Sequence, residues 1–392
     1  MKTSLLTVLA ASSLAALTPL IAAETPRPQP LAAADRASLD KIIAAWPERP
    51  RLGAQQMIAK YGVPQEMTAA QLIWHNQGKF KRITVTKEEH HHDFPLPHTD
   101  YIEHTIDYRV PAEKAAELTK YDGSCTFDKT RGELSARCDL EGHNILTLNI
   151  AHDLLTGKVD AAEARKLFGK NVEDDMAGKY PPYTVALQFE PMKTPADADK
   201  PSIAGAPKRA NPEPDGEVKG ATALEPIAAG PSTKVKASKP AGPDAEILGV
   251  LMAVNTNEVV AAMEAAKKKL SEPIAEYAKM LHVEHGKNAA DTMKVGQKIE
   301  MAPLETEKTN ALRVKAAGEL AALVPLDDDA FGKAYLAAMV KGHTEVLATI
   351  DNDLLKNADS EAVKKHLAAT REHVAMHLAH AKKLQGEGAQ PK

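Results

Sequence analysis

Histidines and carboxylates recur at helical spacing in the C-terminal third of this 392-residue chain, and together they offer the chemistry of metal ligation. His282 and His285 lie on a stretch that also places Tyr277, Ala278 and Leu281 along one helix face. His343 stands four residues after Met339 and four before Leu347, and His366, His373, His377 and His380 follow on a last helical stretch. Upstream, Asn255 and Glu258 continue the apolar stripe of Leu251 and Ala262, so they should point inward or nearly so. Heights can be compared through the rise of about 1.5 Å per residue. Glu258 precedes the turn at Ser271 by as much as His285 follows Pro273, while His343 and either His373 or His377 flank the turn near Asn357. Glu258, His285, His343 and His377 can therefore meet at one point, a mixed imidazole and carboxylate site suited to Zn, Cu, Fe or Ni, with His282 and His373 as second candidates. The alternative is a set of half-exposed, hydrogen-bonded histidines, and the 366/373/380 series reads as a solvated stripe beside the apolar face.

Four long helices must carry these groups. The first is predicted from about 244 to 270, and Ser271-Glu272-Pro273 stops it and caps a second that runs to about 299. A connection with a helical piece from about 305 to 323 ends at Pro325. Asp327 to Asp329 lead the third helix with the negative charge its N-terminus favours, and its core face is set by Phe331, Tyr335, Leu336, Met339 and Leu347. The fourth begins near Asp359 or Ser360 and carries Val363, Leu367, Val374, Leu378 and Leu384. A short turn, a long connection and another short turn make two hairpins joined by a crossover, the connectivity of a ferritin-like four-helix bundle over 244–386. Such bundles hold two irons through Glu-x-x-His pairs, which are missing here at the expected places, so oxygen-activating di-iron chemistry is not expected.

Four segments carry a family likeness: Asn257-Glu258-Val259; Tyr277-Ala278-Lys279-Met280-Leu281-His282-Val283-Glu284-His285; Phe331-Gly332-Lys333-Ala334-Tyr335-Leu336 running on to His343; and His377-Leu378-Ala379-His380-Ala381-Lys382-Lys383-Leu384. Through them, residues 244–386 resemble the bacterial domain of unknown function 4142 family, whose members are labelled exported or outer-membrane proteins and are related to ferritin-like bundles. The resemblance implies a fold and no activity. Glu284-His285 stands where the family usually has Asp-His, which leaves the histidine in place.

The rest of the chain divides by composition. Lys2 followed by an uncharged apolar run from Leu5 to Ala23 reads as a signal peptide over 1–23, cut before Glu24. No other stretch approaches the length needed to span a bilayer, so a soluble periplasmic or secreted protein is expected. Residues 37–190 alternate helical patterning with strand-like stretches at 82–86 and 101–108, helices near 143–156 and 160–168, and a last strand at 183–189, which predicts an α+β domain with an antiparallel sheet. Ten of the 26 prolines fall within 191–243 among Ala, Gly, Lys and Asp, so this segment is expected to be a disordered Pro/Ala-rich linker. The only cysteines are Cys125 and Cys138; a two-residue loop at Arg131-Gly132 would set them opposite each other, and in an oxidising compartment they could pair or remain thiols. His90, His91, His92 and His98 form a weaker metal-capturing cluster, expected on a loop because of Pro95 and Pro97.

A net charge of -4 with balanced basic and acidic residues gives no basic field to argue for nucleic acid, and no such partner is expected. Among Ser, Cys and Gly residues there is no nucleophile elbow, phosphate-cradling loop or paired CxxC, so no catalytic residue and no organic cofactor are assigned. Two functions remain. One is an exported protein whose bundle binds a transition metal or small ligand, in metal handling or envelope stress; the other is a non-catalytic scaffold for an envelope partner, its histidines incidental.

Overall fold

The computed structural model describes residues 33–200, 202 and 242–387. The expected signal peptide and all but the ends of the expected linker lie outside them.

The N-terminal part begins with α1 (Ala33–Ala44) and α2 (Glu48–Tyr61), followed by strands β1 (Glu66–Met67), β2 (Gln71–Gln77), β3 (Phe80–His92) and β4 (His98–Asp107). Helix α3 (Ala115–Tyr121) leads to the hairpin β5 (Cys125–Asp128) and β6 (Glu133–Cys138), and then come α4 (Glu141–Leu155), α5 (Ala161–Met176) and the single turn α6 (Pro182–Val185). All six strands form one antiparallel sheet in the order β1-β2-β3-β4-β6-β5. Alternation along the strands puts Leu72, Trp74, Ile83, Val85, Ile102, Ile106 and Leu134 on one face, each buried, where α2 and α4 cover them. α4 is buried almost all round, as its run Ile145 to Leu155 requires.

Three local expectations are corrected. His90 to His92 do not sit on a loop: they extend β3 and pair with Asp100 to His98 of β4, and the prolines bend only residues 93–97. Residues 183–189 make no strand, because Asn149 of α4 takes up their backbone groups, donating to Tyr183 O and Ala186 O and accepting from Gln188 N. Cys125 faces Ala136 rather than Cys138, and both cysteines are free thiols. The hairpin loop is longer than expected, Lys129 to Gly132, held by the Asp128 carboxylate accepting from Arg131 N, which moves the register by two. Residues 191–200, where the linker was expected to start, lie along the sheet domain: Arg109 donates to Thr194 O, Pro195 O and Ala196 O, and Asp197 N donates to Lys129 O.

The C-terminal part is helical: α7 (Pro243–Ala265), α8 (Glu272–Lys298), α9 (Glu307–Leu323), α10 (Asp328–Thr349), a π-turn over Ile350–Leu354, the last turn α11 (Leu355–Asn357) and α12 (Glu361–Glu387). α7 packs on α8, α8 on α12, α12 on α10 and α10 on α7, and α9 lies against α7 and against α2 of the N-terminal part. By length and composition α7 is apolar enough to cross a membrane, contrary to the sequence reading, yet 61% of its most apolar window is buried inside the molecule, as in a core helix. Asp244 in its first turn accepts from Asp359 N and Ser360 N at 2.9 Å, capping the start of α12 and setting its position relative to α7.

Candidate metal centre

α8 and α12 meet through a ladder of polar contacts. Thr292 Oγ1 lies 2.8 Å from His366 Nε2, Asn288 Nδ2 donates to Thr370 Oγ1 at 2.9 Å, and Glu284 Oε2 lies 2.7 Å from His377 Nε2. As the α8 number falls the α12 number rises, so the helices run antiparallel and their rotation about one another is fixed at three levels. Tyr277 adds a fourth by donating to His377 O at 3.2 Å. Opposite this seam, α10 presents His343.

At the height of His377 three buried imidazoles converge. His285, His343 and His377 are 3%, 1% and 2% exposed, and each offers a nitrogen within 4.8 Å of the other two. Their ring centroids form a near-equilateral triangle of 5.0, 5.4 and 5.6 Å sides.

The outer nitrogen of each ring identifies its tautomer. His343 Nδ1 meets Met339 O at 2.8 Å, and a carbonyl can only accept. His377 Nε2 meets the Glu284 carboxylate, also an acceptor. His285 Nδ1 meets Asn255 Oδ1 at 2.9 Å, and the amide orientation is settled by its other end, where Asn255 Nδ2 donates to Asn288 Oδ1 and Leu251 O, both at 2.8 Å. All three outer nitrogens therefore carry the proton. The inner atoms, His285 Nε2, His343 Nε2 and His377 Nδ1, are left as lone pairs, and none has a hydrogen-bond partner among the described residues. Burial holds His285 far below its usual range, and the neighbouring rings add to the effect; His377 is lowered mainly by burial, with Glu284 opposing, so both are neutral at pH 7. Three ring nitrogens without partners among the described residues thus face one another, each ring oriented from behind by an acceptor, an arrangement that could hold a metal ion.

Glu258 belongs to the neighbourhood but not to this triad. Its carboxyl lies against α10 near Gly342, and its Oε2 has no partner. Burial pushes it up, opposed by His343. The Tyr335 hydroxyl is similarly buried without a partner. His282 is turned away: its Nε2 lies 2.8 Å from Asp175 O and its Nδ1 3.0 Å from the Tyr180 hydroxyl, so both nitrogens serve the contact with the N-terminal part. His373 is half-buried and is not among the residues whose nitrogens converge. The sequence marks Glu284 only as standing where the related family has aspartate, and it marks neither Asn288 nor the Met339 carbonyl as part of a site. Asn288 and Glu284 share the four-residue spacing of the α8 seam with Thr292, and that spacing is the signal that could have marked them.

The N-terminal histidines separate. His90 and His91 are exposed, His91 pairing with Asp93 at 2.8 Å. His92 and His98 turn inward, their rings 5.0 Å apart, beside Asp100.

Residues 229–384 match the model of a family described as a domain of unknown function (DUF4142), so the C-terminal part carries that domain, and no family model matches the N-terminal part. No curated protein and no solved structure is significantly similar to the chain.

Proposed function

We propose that α7, α8, α10 and α12 form a ferritin-like four-helix bundle that holds one transition-metal ion through His285 Nε2, His343 Nε2 and His377 Nδ1. The observation that carries this reading is the convergence of three partnerless lone pairs in the interior. A buried polar atom without a partner costs about 1–3 kcal/mol, and three of them facing one another cost more, so the arrangement favours a cation that takes all three. Imidazole donors suit Zn, Cu, Fe or Ni, and a bound ion supplies a fixed positive charge in a dry interior. Glu258 then serves as the nearby carboxyl that ionises to offset that charge. The role that fits such a site is metal handling in the periplasm or outside the cell, to which the N-terminal leader directs the chain.

Elemental analysis of the untagged protein is the test. The triad is expected to contribute about one equivalent of metal, the equivalent by which His285→Ala and His343→Ala fall below the parent with secondary structure retained. Metal-supplemented protein whose metal content is the same with and without His285→Ala and His343→Ala would overturn the reading and leave a scaffold for an envelope partner.

A further inference from the structure

A second convergence of donor atoms lies in the N-terminal part, where the ends of strands meet the start of α4. His98 opens β4, Cys138 closes β6, Asp139 follows it and His143 stands in the first turn of α4. His98 Nε2 lies 3.3 Å from Cys138 Sγ, which is 3.4 Å from Asp139 Oδ1 and 3.9 Å from His143 Nδ1. The His98 ring is oriented from behind, since its Nδ1 donates to Leu96 O at 2.8 Å, and this turns Nε2 toward the thiol. Asp100, 3% exposed, brings Oδ1 to 3.1 Å from the same Nε2, and that oxygen makes no hydrogen bond of acceptable geometry. The other Asp100 oxygen accepts from the Ser124 hydroxyl.

These separations have the size of a metal polyhedron. With metal–nitrogen and metal–sulfur bonds of about 2.0 and 2.3 Å, the nitrogen-to-sulfur edge of a tetrahedral zinc site is about 3.5 Å. The two shortest contacts of Cys138 Sγ fall close to that edge, and His143 is a few tenths of an ångström beyond it. Access comes from a cavity of about 340 Å³ between the two parts of the molecule, which His98, Asp139 and His143 line together with apolar residues such as Leu52, Val260 and Met263.

We propose that His98, Cys138 and Asp139, whose donor atoms all lie within 4.8 Å of one another, form a second metal site, separate from the histidine triad, that takes a thiophilic divalent cation of the zinc class. Binding releases the Cys138 thiol proton and the proton that His98 Nε2 holds toward Asp100 to water in the cavity, and forms the metal–sulfur and metal–nitrogen bonds. The thiolate and the Asp139 carboxylate then neutralise the two positive charges, which suits an ion held off solvent. The apolar cavity wall stands on the open side of the site.

Sulfur distinguishes this site from the other, because the triad contains none. The experiment loads full-length protein carrying His285→Ala and His343→Ala with cobalt(II) alone. The expected result is one bound cobalt with a thiolate-to-metal charge-transfer band. That band is to persist in Cys125→Ser, vanish in Cys138→Ser and need at least tenfold more cobalt in His98→Ala. Asp139→Asn, an isosteric change at a half-buried position, is to weaken cobalt at least tenfold with an unchanged melting temperature. Cobalt binding without the sulfur band, a band that survives Cys138→Ser, or full affinity in folded Asp139→Asn overturns the proposal, whatever the triad does.

Discussion

Protons at a few ring nitrogens decide what the interior of the helical part can do. Asn255 is the clearest case, because its amide is read from both ends: donors to Asn288 and Leu251 on one side, acceptor for His285 on the other. Removing it frees His285 to rotate or change tautomer and strands Asn288 Oδ1. Asn255→Ala is therefore expected to weaken metal binding by about 10–100-fold, the usual effect of losing a ligand's supporting partner, and to lower stability by about 1–3 kcal/mol. Competition with a chromophoric chelator measures the first and denaturant unfolding the second; an affinity within twofold of the parent means that His285 is oriented by something else. The histidines themselves were legible in the sequence, since a ligand on a helix must recur with the apolar stripe that buries its neighbours. Their protonation was not, because it depends on partners from other helices, and Glu258 fell beside rather than within the triad because equal height does not fix the angle at which a side chain approaches.

Elements differ in how much of their partnership a linear pattern can encode. Helices α7, α8, α10 and α12 were placed within a few residues because capping groups and long apolar stripes mark them. What the stripes leave open is mutual rotation, settled here by the Thr292–His366, Asn288–Thr370 and Glu284–His377 ladder and by Asp244 on the start of α12. Strand register is less legible still. A two-residue shift in the β5–β6 hairpin keeps every side chain on its own face, so alternation cannot distinguish Cys125 opposite Cys138 from Cys125 opposite Ala136. The loop decides, and it is the longer one: Gly132 at φ +67° lies so close to the backbone of Pro195 and Ala196 that a side chain there would collide. Non-reduced protein unfolded in denaturant should then release two titratable thiols per chain; a count near zero would mean that the cysteines had paired and that this register is wrong.

At the scale of the whole molecule, the two parts respond to different variables. The sheet domain is sensitive to acid through Glu141. Its carboxylate lies within 3.2 Å of His104 Nε2 and 2.5 Å of Lys60 Nζ and accepts from the Tyr61 hydroxyl. Burial pushes this carboxyl up, but His104 and Lys60 outweigh it and hold it well below the usual value of 4.5. A depressed carboxyl contributes its full stabilisation above its unfolded pKa, and the contribution is lost as pH falls from about 4.5 through the folded value. Glu141→Gln should cost about 2–4 kcal/mol at pH 7 and flatten the acid limb of the stability curve below pH 4.5. A parent-like acid limb in the variant, followed by circular dichroism, would place the sensitivity in another group.

What joins the parts is close backbone contact, and it can be tested without replacing a ligand of either site. α8 passes α5 at Gly286, where an added Cβ would stand 1.7 Å from Met176 O and 2.5 Å from Met176 C. Beside it, His282 reaches Asp175 O and Tyr180, and farther along Gln56 donates to the buried Glu264 carboxylate at 3.3 Å. Within an isolated helix Gly286→Ala would be favourable by about 1 kcal/mol, so any loss must come from docking. Backbone atoms cannot swing aside as a flexible side chain can, and the expected penalty of about 1–3 kcal/mol or more exceeds the helical gain. Calorimetry of Gly286→Ala should therefore show the parent's unfolding split into two transitions or shifted to lower temperature, with metal stoichiometry at the histidine triad unchanged because α8 itself is intact. A variant that melts as the parent does, or higher, would show that the helix gain dominates and that α5 and α8 are not packed this tightly in solution.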